Sequence, residues 1–196
     1  MELASPRPVR LAELEAIRGI ASIVVLVHHC LLGFAPTISG LVVSPKWWSL
    51  FGTPFFAFIN GTAAVVVFFV LSGFVLTYWA IETEDGRLLG VAALKRWPRL
   101  AFPVVAVNIL AAVLLILDLY SNRTTNNLTD SVWLGWFYGA NRYQTPELFG
   151  AVYEGVIGTF LFGKNSFNSN LWTMYYEFFG SFMAFGLGWL LIGARM

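Results

Sequence analysis

The chain has 196 residues, enough for about one domain, and 58% of them are AVILMFWYC while only 12% are DEKR, against about 25% charged in an average soluble domain. So few charges cannot cover a soluble globule, and so much apolar side chain excludes disorder. A formal net charge of +1 excludes a bulk basic surface for nucleic acid, and the single cysteine, Cys30, excludes an intrachain disulfide or a multi-cysteine metal site.

The composition therefore predicts an all-α integral membrane protein, a single membrane domain over 1–196 whose first partner is the lipid bilayer. A helix that crosses the hydrocarbon core needs about 20 mostly apolar residues. Four runs meet that need: Ile17–Phe34, Phe55–Ala80, Leu100–Leu117 and Leu171–Ile192. The first holds Arg18 at its edge and the pair His28 and His29; the last holds Glu177. The N-terminus does not read as a secretory signal peptide, because its apolar run starts late and holds two histidines.

Lys and Arg set the orientation. Arg7, Arg10, Arg18, Arg87, Lys95, Arg96 and Arg99 fall on one side, and Lys46, Arg123, Arg142 and Lys164 are spread along much more chain on the other. This places the N-terminus and the end at Met196 in the cytoplasm, in a multi-pass arrangement with Arg195 returning to the first side. The outer loop, about 118–170, carries the sequons Asn122-Arg123-Thr124 and Asn127-Leu128-Thr129. It also carries an aromatic cluster, Trp133, Trp136, Phe137 and Tyr138, of the kind that sits at a membrane interface. Its apolar stretch Gly150–Gly163 is short for a crossing and predicts a re-entrant or interfacial helix.

Ionisable groups inside spans are costly, so each marks a candidate site. Arg18 and His29 are eleven residues apart, three turns plus about 20°, so they share a face about 16 Å apart along the axis. Ser22 falls on the same stripe, while His28 points about 100° away. In the last span Thr173, Glu177 and Ser181 line one face at i, i+4, i+8. Glu177 and His29 reach similar depth from helices of opposite direction. A carboxylate there needs a partner, and pairing with it would raise the histidine's basicity and fix its tautomer, which is what a general base requires. The plainer reading is a pair that only ties two helices together. The basic run Lys95-Arg96-Trp97-Pro98-Arg99 reads as a topology signal and as a clamp for phosphate oxygens. Ser72 and Gly73 read as small residues that let helices approach. Gly158–Asn165 imitates a P-loop but has Asn165 where Ser or Thr belongs, and no metal site is expected.

Four pieces, in order, resemble the membrane-bound acyltransferase-3 family, which includes bacterial sugar O-acetyltransferases and fungal homologues. They are Leu14-Glu15-Ala16-Ile17-Arg18-Gly19-Ile20-Ala21 running on to His29; Phe68-Phe69-Val70-Leu71-Ser72-Gly73-Phe74; Lys95-Arg96-Trp97-Pro98-Arg99 with Pro103; and Asn170-Leu171-Trp172-Thr173-Met174-Tyr175-Tyr176-Glu177-Phe178. The fourth, with Phe179-Gly180-Ser181, is similar to the fungal branch. The resemblance implies transfer of an acyl group from cytoplasmic acyl-CoA to an acceptor hydroxyl, such as a glycan's, on the far side. It implies His29, Arg18 and Glu177 as catalytic residues and Lys95, Arg96 and Arg99 as the residues that hold the coenzyme. The family has about ten spans, so four resemble its N-terminal portion, with a C-terminal half as the missing partner and catalysis incomplete without it. The alternatives are a transporter-like or channel-like bundle, with His29 and Glu177 as a proton relay, and a non-catalytic remnant. A carrier needs no coenzyme clamp, so the basic run separates the first alternative from an acyltransferase.

Overall fold

A computed structural model of the chain describes residues 12–41, 44–137 and 147–194. Among the described residues all regular structure is helical. Four helices are long and apolar enough to cross a membrane, as the composition predicted. They are α1 (Ala12–Phe34), α3 (Gly61–Glu82), α4 (Gly86–Ile116) and α9 (Trp172–Gly193). A single turn, α2 (Pro36–Ser39), follows α1.

Two boundaries differ from the sequence expectation for physical reasons. The second span begins at Gly61 instead of Phe55, because Pro54–Ile59 forms a 3-10 helix and the Asn60 carboxamide oxygen then caps α3 by accepting from the Ala63 N–H at 3.0 Å. The third span is the upper part of a longer helix. α4 runs 31 residues, about 46 Å, and takes in the whole basic run and both Pro98 and Pro103. A buried stripe fixes it as one helix: Leu89, Arg96, Val104, Asn108 and Ala111–Ala112 fall on one face along its length. Helical periodicity continues through charges that break the apolar run.

α3, α4 and α9 pack as a triangle, with Ala80, Leu89, Phe185 and Ile192 in contact at the end where α3 passes into α4. α1 lies on α3. The contact is close at one point. A methyl on Gly61 would meet the His28 ring at 2.5 Å, and His28 Nδ1 donates to the Ile59 carbonyl at 2.8 Å.

The described part of the loop between α4 and α9 is structured. α5 (Asn122–Thr129) and α6 (Val132–Phe137) fold over the end of α1. The last carbonyls of a helix lack internal partners. Here Leu32 accepts from the Ser131 hydroxyl at 2.5 Å and Gly33 from the Thr129 hydroxyl at 3.1 Å. Trp133 packs inward, against α1, where an interfacial aromatic was expected. The side chains of Arg123, Trp136 and Phe137, and residues Arg7, Arg10, Tyr138, Arg142 and Arg195, lie outside the described residues.

The short apolar helix runs Leu148–Phe162 and is built from α7 (Leu148–Tyr153), a π-helical turn (Glu154–Gly158) and α8 (Thr159–Phe162). Its length, about 22 Å, falls short of a crossing of about 30 Å. It runs antiparallel to α4, from Ala151 beside Ala111 and Ala112 down to Phe160 beside Ala101 and Val104. Gly155 permits this approach, since a methyl there would fall 2.8 Å from the Val105 backbone. Gly163 then turns with φ of 62°, and the chain climbs until Phe167 rejoins Ala111, Ala112 and Ala151. The buried Glu154 carboxylate accepts the backbone N–H groups of Ser166 (2.6 Å) and Phe167 (3.3 Å), satisfying the irregular returning segment. This in-and-back path is the geometry of a re-entrant element.

Candidate active site

One cavity of about 520 Å³ lies between α1, α3 and the start of α9, with Leu100 of α4 at its back. Arg18, Ser22 and His29 line it from α1, Ser72 from α3, and Asn170, Thr173 and Glu177 from the α9 side. The stripe on α1 and the stripe on α9 therefore face one space, although they are about 150 residues apart in sequence.

His29 is half-buried. Its Nδ1 lies 2.8 Å from the Val25 carbonyl, which can only accept, so Nδ1 carries the proton. In the neutral ring this leaves the lone pair on Nε2. The Trp133 ring sits beside the imidazole at 5.5 Å between centroids, tilted by 53°. His28 faces the other way: it is buried, bonded to Ile59 and absent from the cavity lining. The helical arithmetic that separated the two histidines thus matches their placement.

The pairing of Glu177 differs from the expectation. His29 was the anticipated partner at similar depth; instead Glu177 forms an ion pair with the buried Arg96 of α4, and its bond to Ser72, eleven residues or about 16 Å along α3 from the Gly61–His28 contact, sets it nearer Arg18 than His29. The surrounding groups complete a network. The Ser72 hydroxyl donates to Glu177 Oε1 at 2.6 Å, Arg96 Nη2 donates to Ser72 Oγ at 3.3 Å, and Arg96 Nε donates to Ser181 Oγ at 2.8 Å. Ser181 donates to the Glu177 carbonyl. Three helices are joined at one guanidinium. An uncompensated charge there would be expensive, and the bifurcated use of Arg96 satisfies both partners.

Of the basic run, then, Arg96 turns inward, while Lys95 and Arg99 are exposed on α4. The structure brings Arg18, His29 and Glu177 to one cavity, sets Arg96 behind Glu177, and leaves Lys95 and Arg99 outside the cavity lining. Ser72 and Asn170 join the cavity without having been singled out for it. For Ser72 the signal was a hydroxyl in an otherwise apolar run; Asn170 had none beyond its place in the fourth motif.

The chain is similar to the O-acetyltransferase PaAT-1 of Phomopsis amygdali, 30% identical over 118 residues, which is 55% of this chain and 23% of that protein. The chain thus aligns with under a quarter of the length of that relative. No solved structure matches. Residues 11–195 match the family described as an acyltransferase domain, and the chain belongs to this acyltransferase-3 family.

Proposed function

We propose that the chain forms the part of a membrane acyltransferase that holds the general base. It moves an acyl group from acyl-CoA, arriving on the cytoplasmic side, to an acceptor hydroxyl on the far side, a carbohydrate's or another small molecule's. In this orientation the N-terminus is cytoplasmic, and the similarity to PaAT-1 supports O-acetylation and a place near the fungal branch. The observation that carries the reading is the single cavity that unites His29, Arg18 and Glu177.

In that reaction His29 Nε2 takes the acceptor's hydroxyl proton as the oxygen attacks the thioester carbonyl. The new C–O bond forms, the C–S bond breaks, and the imidazolium returns the proton to the departing thiolate. The Nδ1–H bond to Val25 favours this, because it presets the tautomer with Nε2 unprotonated. Arg18, about 16 Å lower on the same face, lines the donor's approach. Glu177, neutralised by Arg96, supports the Arg18 end of the cavity together with Ser72, which lies eleven residues, about 16 Å, along α3 from the Gly61–His28 contact. Lys95 and Arg99 hold the coenzyme's phosphates, while Arg96 acts by positioning Glu177. The cavity is open between α1 and α9, and further helices, from a longer chain or a C-terminal half, complete it. A proton relay through His29 and Glu177 has less support, because Arg96 already neutralises Glu177.

The test is incorporation of labelled acyl groups from acyl-CoA by the full-length protein in membranes. His29→Ala is expected to abolish transfer at unchanged protein level. Transfer at the wild-type rate by that variant overturns the proposal.

A further inference from the structure

We propose that Trp133 is a water shield over His29, and that it sets how the acyl group divides between the acceptor and water. The inference rests on the acyl-transfer reading of the cavity.

Three observations point to it. The Trp133 ring lies along the His29–Gly33 stripe of α1: it is 5.5 Å from the His29 ring, and a methyl added to Gly33 would meet its Cζ3 at 3.7 Å. These two positions are one helical turn apart, so the indole covers the end of the stripe. The ring is also held. Ser131, fully buried, donates to the Leu32 carbonyl and accepts from the Leu134 N–H at 3.3 Å, while Thr129 donates to the Gly33 carbonyl. These hydroxyls pin α5 and α6 to carbonyls that α1 cannot satisfy itself. Finally, the shield stands at the end where α1 finishes, on the side of His29 away from Arg18.

The chemistry gives this cover a purpose. A base that can deprotonate an acceptor hydroxyl can also activate water. Water then attacks the thioester carbonyl, the C–S bond breaks, and the products are the free carboxylic acid and the thiol, with the proton passing from His29 to the thiolate. The acyl donor is consumed with no product on the acceptor. Excluding water from a closed site suppresses that side reaction. An indole suits the task, being broad and apolar. Trp133 touches the base and not the reacting atoms, so it is a shielding residue.

The experiment uses the full-length protein in membranes and two readouts. The first is the rate at which diethyl pyrocarbonate modifies His29, assigned against His28 by fragment-ion mass spectrometry. Trp133→Ala should raise the His29 rate several-fold and leave the buried His28 unchanged, while Trp133→Phe should stay near wild type. Ser131→Ala keeps the indole but loosens its anchor, and should raise the rate in the same direction. The second readout is the ratio of free acid to acylated acceptor, which should rise several-fold in Trp133→Ala. An unchanged His29 rate in both Trp133→Ala and Ser131→Ala overturns the shield. A raised His29 rate with an unchanged product ratio overturns the claim on partition. A wild-type protein that transfers no acyl group sinks the reading of the cavity, and the His29 rate still decides the shield.

Discussion

Arg96 on α4 and Glu177 on α9 form an ion pair that Ser72 of α3 and Ser181 of α9 close into a network, so one buried cation joins three of the four long helices. Removing one partner leaves the other charge buried and unpaired. Glu177→Gln or Arg96→Met should therefore destabilise the bundle by about 3–5 kcal/mol. The double variant Arg96→Met with Glu177→Leu should recover most of that loss, because neither charge remains to be desolvated. Denaturation of the purified protein in detergent micelles checks this, and additive losses would refute the coupling.

The two histidines should separate in function. His29 faces the cavity with its Nδ1 held by the Val25 carbonyl, whereas His28 is bonded to Ile59. In a full-length, active protein His29→Ala should abolish transfer, and His28→Ala should lower the amount of folded protein while leaving turnover per folded molecule largely intact. Equal loss of turnover from both variants would remove the basis for choosing His29.

The close approach of α1 and α3 makes a steric prediction. Gly61→Ala places a methyl 2.5 Å from the His28 ring, so it should cost about 1–3 kcal/mol, as overpacking does. In a His28→Ala background the same change should cost less without becoming neutral, because the Cβ at position 28 still lies 2.9 Å from the added methyl. A double-mutant cycle reads the difference.

The clamp prediction concerns Lys95 and Arg99, both exposed on α4. Reversing both charges should weaken use of acyl-CoA without altering acceptor preference. Each lost charge-assisted phosphate contact is worth about 1.5–3 kcal/mol, or about ten-fold or more in apparent affinity. Unchanged dependence on acyl-CoA would reduce the pair to a topology signal.

Orientation can be read with a membrane-impermeant maleimide in a Cys30→Ser background. Asn127 is exposed on α5 and Glu84 sits in the turn between α3 and α4. Asn127→Cys should label from outside intact cells, and Glu84→Cys only after permeabilisation. The reverse pattern would invert the orientation. The neighbouring Asn122 is buried, and its amide donates to the Leu134 carbonyl at 3.5 Å, so of the two sequons only Asn127 offers an accessible side chain.

Much of this was legible in the sequence, for reasons particular residues make plain. The spans declared themselves by apolar length, and the Arg18–Ser22–His29 stripe by helical period, because α1 is a regular helix whose angular arithmetic holds over eleven residues. The Thr173–Glu177 face was legible in the same way. The partner of Glu177 was not. Arg96 sits among Lys95 and Arg99, and a run of charge reads as a solvated link; only the burial of Leu89 and Arg96 on one stripe reveals that α4 continues through it. Trp133 was hidden for a different cause. Its role depends on how α5 and α6 fold back on α1, and such a return is set by hydroxyl-to-carbonyl bonds that leave no periodic trace. The boundary at Gly61 turned on one cap, Asn60, inside a charge-free run where hydropathy has no contrast.

The way α1 is supported has a mechanical consequence. Among the long helices α3 carries most of its contact, and its finishing end is pinned by Thr129, Ser131 and the His28–Ile59 bond. α1 is thus a lever with its fulcrum near His29 and its free arm at Arg18. A tilt of about 5° over the 16 Å arm displaces Arg18 by about 1.5 Å while His29 barely moves. The two ends of the cavity therefore differ in support: His29 and its indole cover sit at the pinned end of α1, and Arg18 sits at the exposed end.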